Sequence, residues 1–484
     1  MAVERARADL RRQVLLSAEV VGATLSGAGR RQFLELVLRD DLVFDTAIID
    51  EAAQSSEPSC LVPLRLGCRR LVLVGDPRQL PATVLCKGAA RAGLGRSLFE
   101  RLESADHEVV MLTVQYRMHP EIRRFPSQRF YQSLLTDAAE ARALTVLQLP
   151  LGVGVGVGAG ALASASTVMS RSGPASGLLR VAPVRFLDLQ ASTGHGGGYG
   201  GGGGYGGGGG GGEGGGGGGY VFGREQAAGR SYRNEGEARL VALLLCALLP
   251  HCAHLSVAVV TPYKAQVAII RDRLGGRGPG LGGMGQGQGM EQGGGVASVL
   301  SALAALQAQR VKADCGVEVN TVDGFQGREK DIIIFSTVRA NGHSHSHSGG
   351  GGIGFVADER RLNVAITRAR RLLLIVGSAS SLSVDGNWRA MIQSLRERGS
   401  VRGVGEGDLG GGMLGAEVLV RLLKSLLWAP MSLRAALKAH SASAKGQETF
   451  TNGHTAICFS LVIGTRHSGH KKLVAFNIAT HARQ

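Results

Sequence analysis

Aromatic side chains are scarce in this 484-residue chain, at 5% of positions with two tryptophans, and acidic residues are outnumbered by basic ones, 38 to 54. With few rings available, a core has to be built from aliphatic runs, and a mean hydropathy of +0.08 leaves enough of these to exclude wholesale disorder. Cysteine is sparse too. The seven, at 60, 68, 86, 246, 252, 315 and 458, form no CxxC pair and no even framework, which excludes a disulfide scaffold and fits reduced thiols in a cytosolic or nuclear protein. Cys246, His251, Cys252 and His254 cluster without zinc spacing, and His343, His345 and His347 alternate with serine beside glycine as a loop would. The opening MAVERARADLRRQ is charged where a signal peptide would be apolar. Ala143 to Ser170 carries no charge, but its LGVGVGVGAG alternation argues against a stable helix, so no membrane span is expected.

Glycine and arginine are abundant instead. The 75 glycines are about 15% of the chain against a usual ~7%. They concentrate in low-complexity stretches at 151–180, 194–219 (22 glycines in 26 positions) and 275–295. Each stretch falls between regular elements, where a longer loop adds little closure entropy, so they read as loop expansions within a domain. An RGG-like nucleic-acid segment is the alternative. Tyr199, Tyr205 and Tyr220 could stack on bases, but 194–219 holds no arginine. The net charge of +16 rests on 45 arginines and 9 lysines. A polyanion is the natural partner for such a surface, and guanidinium suits bidentate phosphate contacts, although a coding-composition bias would equally raise Arg, Gly and Ala together.

Strand-like apolar runs recur along the chain: FDTAIID, RRLVLVG, EVVMLTV, VRFLDL, LSVAVVTP, DIIIFSTV and RRLLLIVG. Helical patterns follow several of them, as in RSLFERL, HPEIRRFPSQRFYQSLL, NEGEARLVALLLCALL and YKAQVAIIRDRL. Runs alternating in this way predict an α/β fold around parallel sheets buried on both faces. A leucine-rich helix is expected around 416–428, whereas residues 440–484 show neither a sustained strand nor a helix period.

The residues that carry chemistry begin at Phe44. The run FDTAIIDEAAQ ends a buried strand in two carboxylates, Asp50 and Glu51. One can hold Mg²⁺, directly or through water, while the other polarises an attacking water; two acids merely opening a loop are the plain alternative. A second strand ends in Gly75-Asp76-Pro77, followed by Gln79, an uncharged side chain able to sense a γ-phosphate. QYRMHP then places Arg117 in a short turn, where it can serve as a charge-stabilising finger. Arg361 and Arg368 stand seven residues apart before RRLLLIVG, which predicts one helix face carrying both, about two turns apart. Taken alone, that face is also readable as a solvated basic surface, and VDGFQGREKD as a polar turn in which Asp323 and Gln326 cap.

In order, DEAAQ, GDPRQLPATV, QYRMHP, TPYKAQ, VDGFQGREKD and RRLNVAITRAR resemble motifs II to VI of the superfamily 1B helicases of the Upf-like, DNA2/NAM7-type group. With ATLSGAG at 23–29 they most resemble the senataxin branch. The resemblance covers roughly residues 15–380 apart from the inserts, and six ordered motifs make it specific. It implies RecA-like parallel-sheet motor domains: a C-terminal remnant of the first at 1–95, the second at 96–380 with the inserts, a nucleotide cleft between them, and an undefined tail at 381–484.

The resemblance also implies roles for individual residues. ATP and Mg²⁺ are the cofactors, with Asp50 on the metal, Glu51 activating water, and Gln79 coupling the γ-phosphate to the strand-binding surface. Arg117 and Arg368 are paired arginine fingers, and Tyr116 and Glu329 contact the nucleotide. Thr24, Thr261, Lys264 and Thr321 track the backbone of single-stranded RNA or DNA, or of an RNA–DNA hybrid. The protein is expected in the nucleus, with the cytoplasm as the alternative.

One family element is missing. No GxxxxGK[ST] run, the loop that cradles β- and γ-phosphates, occurs in the sequence; the nearest candidate, GAGRRQ at 27–32, has no lysine. The expectation is therefore an ATP-dependent 5′ to 3′ helicase motor lacking its upstream half, with little ATPase activity in this polypeptide alone. An ATPase-dead nucleic-acid-binding protein and a misassembled product are the alternatives.

Overall fold

The computed structural model describes residues 2–39, 44–150, 178–189, 223–252, 254–274, 316–340, 352–405, 408, 416–426, 459–463 and 473–476. Apart from the Leu178–Arg180 strand, the low-complexity stretches lie outside these residues, as do Cys315, Cys458 and the 343–347 histidines. The chain divides into two compact units. One comprises Met1–Tyr116, Phe130–Arg142 and Thr449–Gln484, the other Arg117–Arg129 and Ala143–Glu448. Each is an α/β unit with its own apolar core.

In the second unit, the continuous apolar runs become a six-stranded, all-parallel sheet. Its order is Glu318–Thr321, Val257–Thr261, Lys330–Ser336, Ala369–Gly377, Val184–Leu189 and Val401–Val404. Every residue of Val257–Thr261 is buried, and Ile332, Ile333 and Ile334 have no exposed surface. Burial on both faces is why these strands show no polar alternation. Helix Glu235–Leu248 is buried on nearly every side and starts at Asn234, whose side chain accepts the Glu237 N–H at 3.1 Å. The register pairs Thr261 with Thr321, Val260 with Phe335 and Ser336 with Val376. Thr261, Thr321, Ser336 and Gly377 therefore lie along one edge, the carboxyl ends of the strands, where open α/β sheets bind ligands.

The first unit holds shorter strands in the order Val20–Ala23, Leu473–Phe476, Thr46–Ile49, Arg70–Gly75, Phe459–Ile463 and Val109–Met111. The first four are parallel, while Phe459–Ile463 runs antiparallel to both of its neighbours. Two expectations are corrected here. The pattern-poor 440–484 segment contributes two strands, FSLVI and LVAF, which a sequence reading misses because mostly apolar runs of four or five residues have no period to read. EVVMLTV is not one strand: Val109–Met111 joins the sheet and Val114–Gln115 pairs separately with Thr136–Asp137.

Residues after 380 are regular in the second unit as well. Helices Ala379–Leu382, Gly386–Glu397 and Ala416–Leu426 and strand Val401–Val404 follow one another, and Trp388 is fully buried with its indole N–H donating to the Val356 carbonyl at 2.7 Å. The helix expected around 416–428 is Ala416–Leu426.

Candidate functional site

In the first unit, the strand Thr46–Ile49 delivers Asp50 and Glu51 to the carboxyl edge of the sheet. Ile49 pairs with Leu73, so Glu51 falls beside Gly75 at the end of the next strand. A Cβ on Gly75 would lie 2.9 Å from the Ala53 nitrogen and 3.1 Å from that of Ala52, so only glycine lets the two strand ends meet. Glu51 takes a left-handed backbone (φ 52°, ψ 36°), a sparsely populated conformation for a side-chain-bearing residue. Its N–H donates to Asp50 Oδ1 at 2.9 Å, and Gln54 Nε2 donates to its Oε2. The two carboxylates are thus oriented by their own turn, half-buried.

Asp76 organises the neighbouring strand end. Its carboxylate accepts the Arg78 N–H at 2.9 Å, Gln79 Nε2 at 2.8 Å and the Tyr131 hydroxyl at 2.6 Å. Gln79 is consequently held through Asp76. Neither Asp76 nor Tyr131 had a role in the sequence reading: Asp76 stood in plain view in Gly-Asp-Pro, but no local signal connects it to a tyrosine 55 positions away. Thr24 is exposed and caps the Leu25–Ala28 turn by accepting the Gly27 N–H at 2.9 Å. Tyr116 is 49% exposed.

In the second unit, three segments distant in sequence converge. Arg117 Nε donates to Glu329 Oε2, its Nη1 donates to the Thr367 carbonyl at 3.3 Å, and the His119 N–H donates to the Arg370 carbonyl at 2.7 Å. Arg370 Nε lies 3.7 Å from Glu329 Oε1. Arg117, Glu329 and the 367–370 strand entry therefore form one cluster.

The shared helix face of Arg361 and Arg368 is not found. The helix Glu359–Ile366 ends before Arg368, which is 2% exposed and donates back to the Val364 carbonyl and the Thr367 hydroxyl, both at 3.0 Å. Arg361 meets Asp323 through two donors, at 2.9 and 3.2 Å, and Asp358 at 3.2 Å. A seven-residue spacing implies a common face only while the helix lasts, and the strand begins at Ala369.

Thr321 Oγ1 accepts the Gly324 N–H at 3.2 Å, and Lys264 is exposed at the first turn of helix Lys264–Arg273. Thr261 is fully buried. Among the described residues its hydroxyl has no hydrogen-bond partner, and neither does the buried Gln326 Nε2.

A buried polar network also lies at this sheet edge. Glu237 has no exposed surface; its carboxylate accepts the Ser336 hydroxyl at 2.6 Å and the Val338 N–H at 2.9 Å, and burial pushes it up to about 8 against these hydrogen bonds. Val338 sits at φ 72°, an outlying conformation for a β-branched residue, with its carbonyl held by Asn234 at 3.1 Å. An acid one turn into the leucine-rich NEGEARLVALLLCALL was the available signal for this network. Cys246 and Cys252 are buried, and among the described residues no group of His, Cys, Asp or Glu is arranged to hold a metal ion. Among them, too, no helix is long and apolar enough to cross a membrane.

Comparison with known proteins agrees with the motifs. Two family models described as AAA domain match residues 2–87 and 94–380. Helicases match across about four-fifths of the chain. "Probable helicase MAGATAMA 3" of Arabidopsis thaliana is 34% identical over 396 residues, 81% of this chain and 36% of that protein. "ATP-dependent helicase NAM7" of Saccharomyces cerevisiae is 32% identical over 390 residues (80% and 30%), and "Helicase sen1" of Schizosaccharomyces pombe is 31% identical over 406 residues (82% and 18%). The chain belongs to the Upf-like helicases of superfamily 1B, with RecA-like α/β architecture. It spans about a third or less of the length of these relatives.

Proposed function

We propose that the chain carries motifs II to VI of an ATP-dependent RNA/DNA helicase motor that moves 5′ to 3′ along a single strand in the nucleus. The observation that supports this most directly is the pair Asp50 and Glu51, oriented at a strand end beside Gly75, Asp76 and Gln79. A half-buried carboxylate with one oxygen engaged only by a backbone N–H suits a hydrated Mg²⁺, so Asp50 is the residue to hold it. When bound, the ion would neutralise phosphate charge. Glu51, fixed by Gln54, is placed to take a proton from water, and Gln79 reports the γ-phosphate through the Asp76 network. Arg117, with Glu329 beside it, supplies positive charge and nucleotide contacts in the second unit, and Arg368 joins it only if its buried guanidinium becomes accessible. Thr24, Lys264 and Thr321 face the nucleic-acid backbone in this reading, and Thr261 joins them only if its buried hydroxyl becomes accessible.

A second reading, a nucleic-acid-binding protein without ATPase activity, is favoured by one observation: no GxxxxGK[ST] run is present in these 484 residues. The two readings share a test on the purified chain. Binding to single-stranded RNA should weaken with salt, log K falling by about 0.7 per phosphate contact per log unit of salt. ATP turnover should be low. A flat salt response would overturn both readings, whereas RNA-stimulated ATP hydrolysis that disappears in Glu51→Gln would sink the ATPase-dead one and the expectation of weak activity.

A further inference from the structure

Phe355 stands at the crest of a 3₁₀ turn, Gly354–Ala357, whose flanks are pinned. Ile353 and Val356 are 2% and 3% exposed, the Val356 carbonyl accepts the Trp388 indole N–H, and the Ile353 carbonyl accepts Arg339 Nη1 at 3.2 Å. Gly354 is left-handed at φ 64°, and a Cβ there would lie 2.9 Å from Arg339 Nη1. Between these anchors the Phe355 ring is held out at 58% exposure; Tyr116 is the other exposed aromatic among the described residues.

An exposed apolar side chain is ordinary by itself. The surroundings of this one are not. The Arg361 guanidinium carbon lies 4.9 Å from the ring centroid, and Asp323 holds that guanidinium through two hydrogen bonds. Tyr263 meets Phe355 edge-on with centroids 6.4 Å apart, and Tyr232 meets Tyr263 at 5.5 Å with Arg339 over its own ring at 4.6 Å. Lys264, exposed, follows Tyr263 directly, and Thr321 closes the turn that contains Asp323. A rigid, arginine-backed ring next to cationic and hydroxyl groups is the combination that binds single strands: charge follows the backbone while a ring stacks on a base.

We infer that Phe355 is a base-stacking platform for single-stranded nucleic acid, with Arg361 and Tyr263 fixing its ring. This rests on the nucleic-acid reading above and adds a contact to the bases, which none of the motif residues supplies. Stacking of this kind is sequence-tolerant and changes affinity roughly 5- to 100-fold per base.

The test measures binding of an adenosine oligonucleotide and an abasic backbone of equal length, in ribose and deoxyribose forms, at fixed ionic strength and across a salt series. The full chain should prefer the base-bearing strand by about tenfold or more. Phe355→Ala should lose that preference while keeping the salt slope, and Phe355→Tyr should retain it. If Phe355→Ala keeps the preference, the platform is overturned while the backbone reading stands. If neither strand binds in a salt-dependent way, both fall. Circular dichroism of the two variants, expected to match the parent because the ring is exposed, separates loss of stacking from loss of fold.

Discussion

The two units solve the same problem, delivering charged groups to the carboxyl edge of a sheet, with different resources. In the second unit the strands come in long apolar runs, all parallel, and that edge is tied together by contacts between distant segments, Arg361 with Asp323 and Glu237 with Ser336 and Val338, while Arg117 meets Glu329 at the opposite, amino end of Lys330–Ser336. In the first unit the strands are shorter, two of them come from beyond residue 458, and the chemistry is held by close-range devices: the left-handed Glu51, the bare Gly75 and the Asp76 carboxylate. A sheet rich in apolar runs can carry a buried acid and a strained valine at its edge. A sheet with less core depends on backbone fit.

Removing residues 449–484 is the harshest test of that contrast. Losing Phe459–Ile463 and Leu473–Phe476 should leave Thr46–Ile49 and Arg70–Gly75 without sheet neighbours on one side each, so hydrogen exchange in those strands should accelerate by orders of magnitude while Val257–Thr261 and Lys330–Ser336 keep their protection. Unchanged protection in the first unit would break the comparison.

The next effect concerns Glu237. Its folded-state value, about 8, lies above the unfolded value near 4.5, so the stabilisation is fully present below 4.5 and is lost as pH rises through 8. Chemical denaturation should show the second unit losing several kcal/mol across that window, at most about 5, and Glu237→Gln should flatten the profile. A profile for the variant as steep as the parent's would assign the pH dependence elsewhere.

Gly75→Ala sharpens the comparison from the other side. Crowding the Ala52 and Ala53 nitrogens should cost the first unit about 1–3 kcal/mol and shift the Asp50–Glu51 turn, leaving the second unit's unfolding midpoint in place. Equal shifts in both units would show that they unfold as one. Smallest is Thr24→Ala: the lost cap on an exposed four-residue turn should cost about 0.5–1 kcal/mol, read from the first unit's urea midpoint.

Much of the fold was legible along the chain. DIIIFSTV and RRLLLIVG could be placed as buried parallel strands because a strand covered on both faces has to be apolar at every position. FSLVI and LVAF could not, since runs that short fit a strand, a helix turn or a loop alike until neighbouring strands accept their backbone groups. The site divides in the same way. Asp50, Glu51 and Gln79 announced themselves at strand ends, while Tyr131 came to Asp76, and Arg117 to Glu329, only through folding.

By itself, then, the sequence determined the α/β class, the helicase family and the segments proposed to carry chemistry, because residue type and spacing at strand ends are local properties. Only the tertiary structure decided which charges meet. It put Arg368 inside the second unit rather than on a helix face, gave Arg361 to Asp323, and left Phe355 outside. Those outcomes depend on where a helix stops and which strands become neighbours, and both are settled by packing over separations of tens to hundreds of residues.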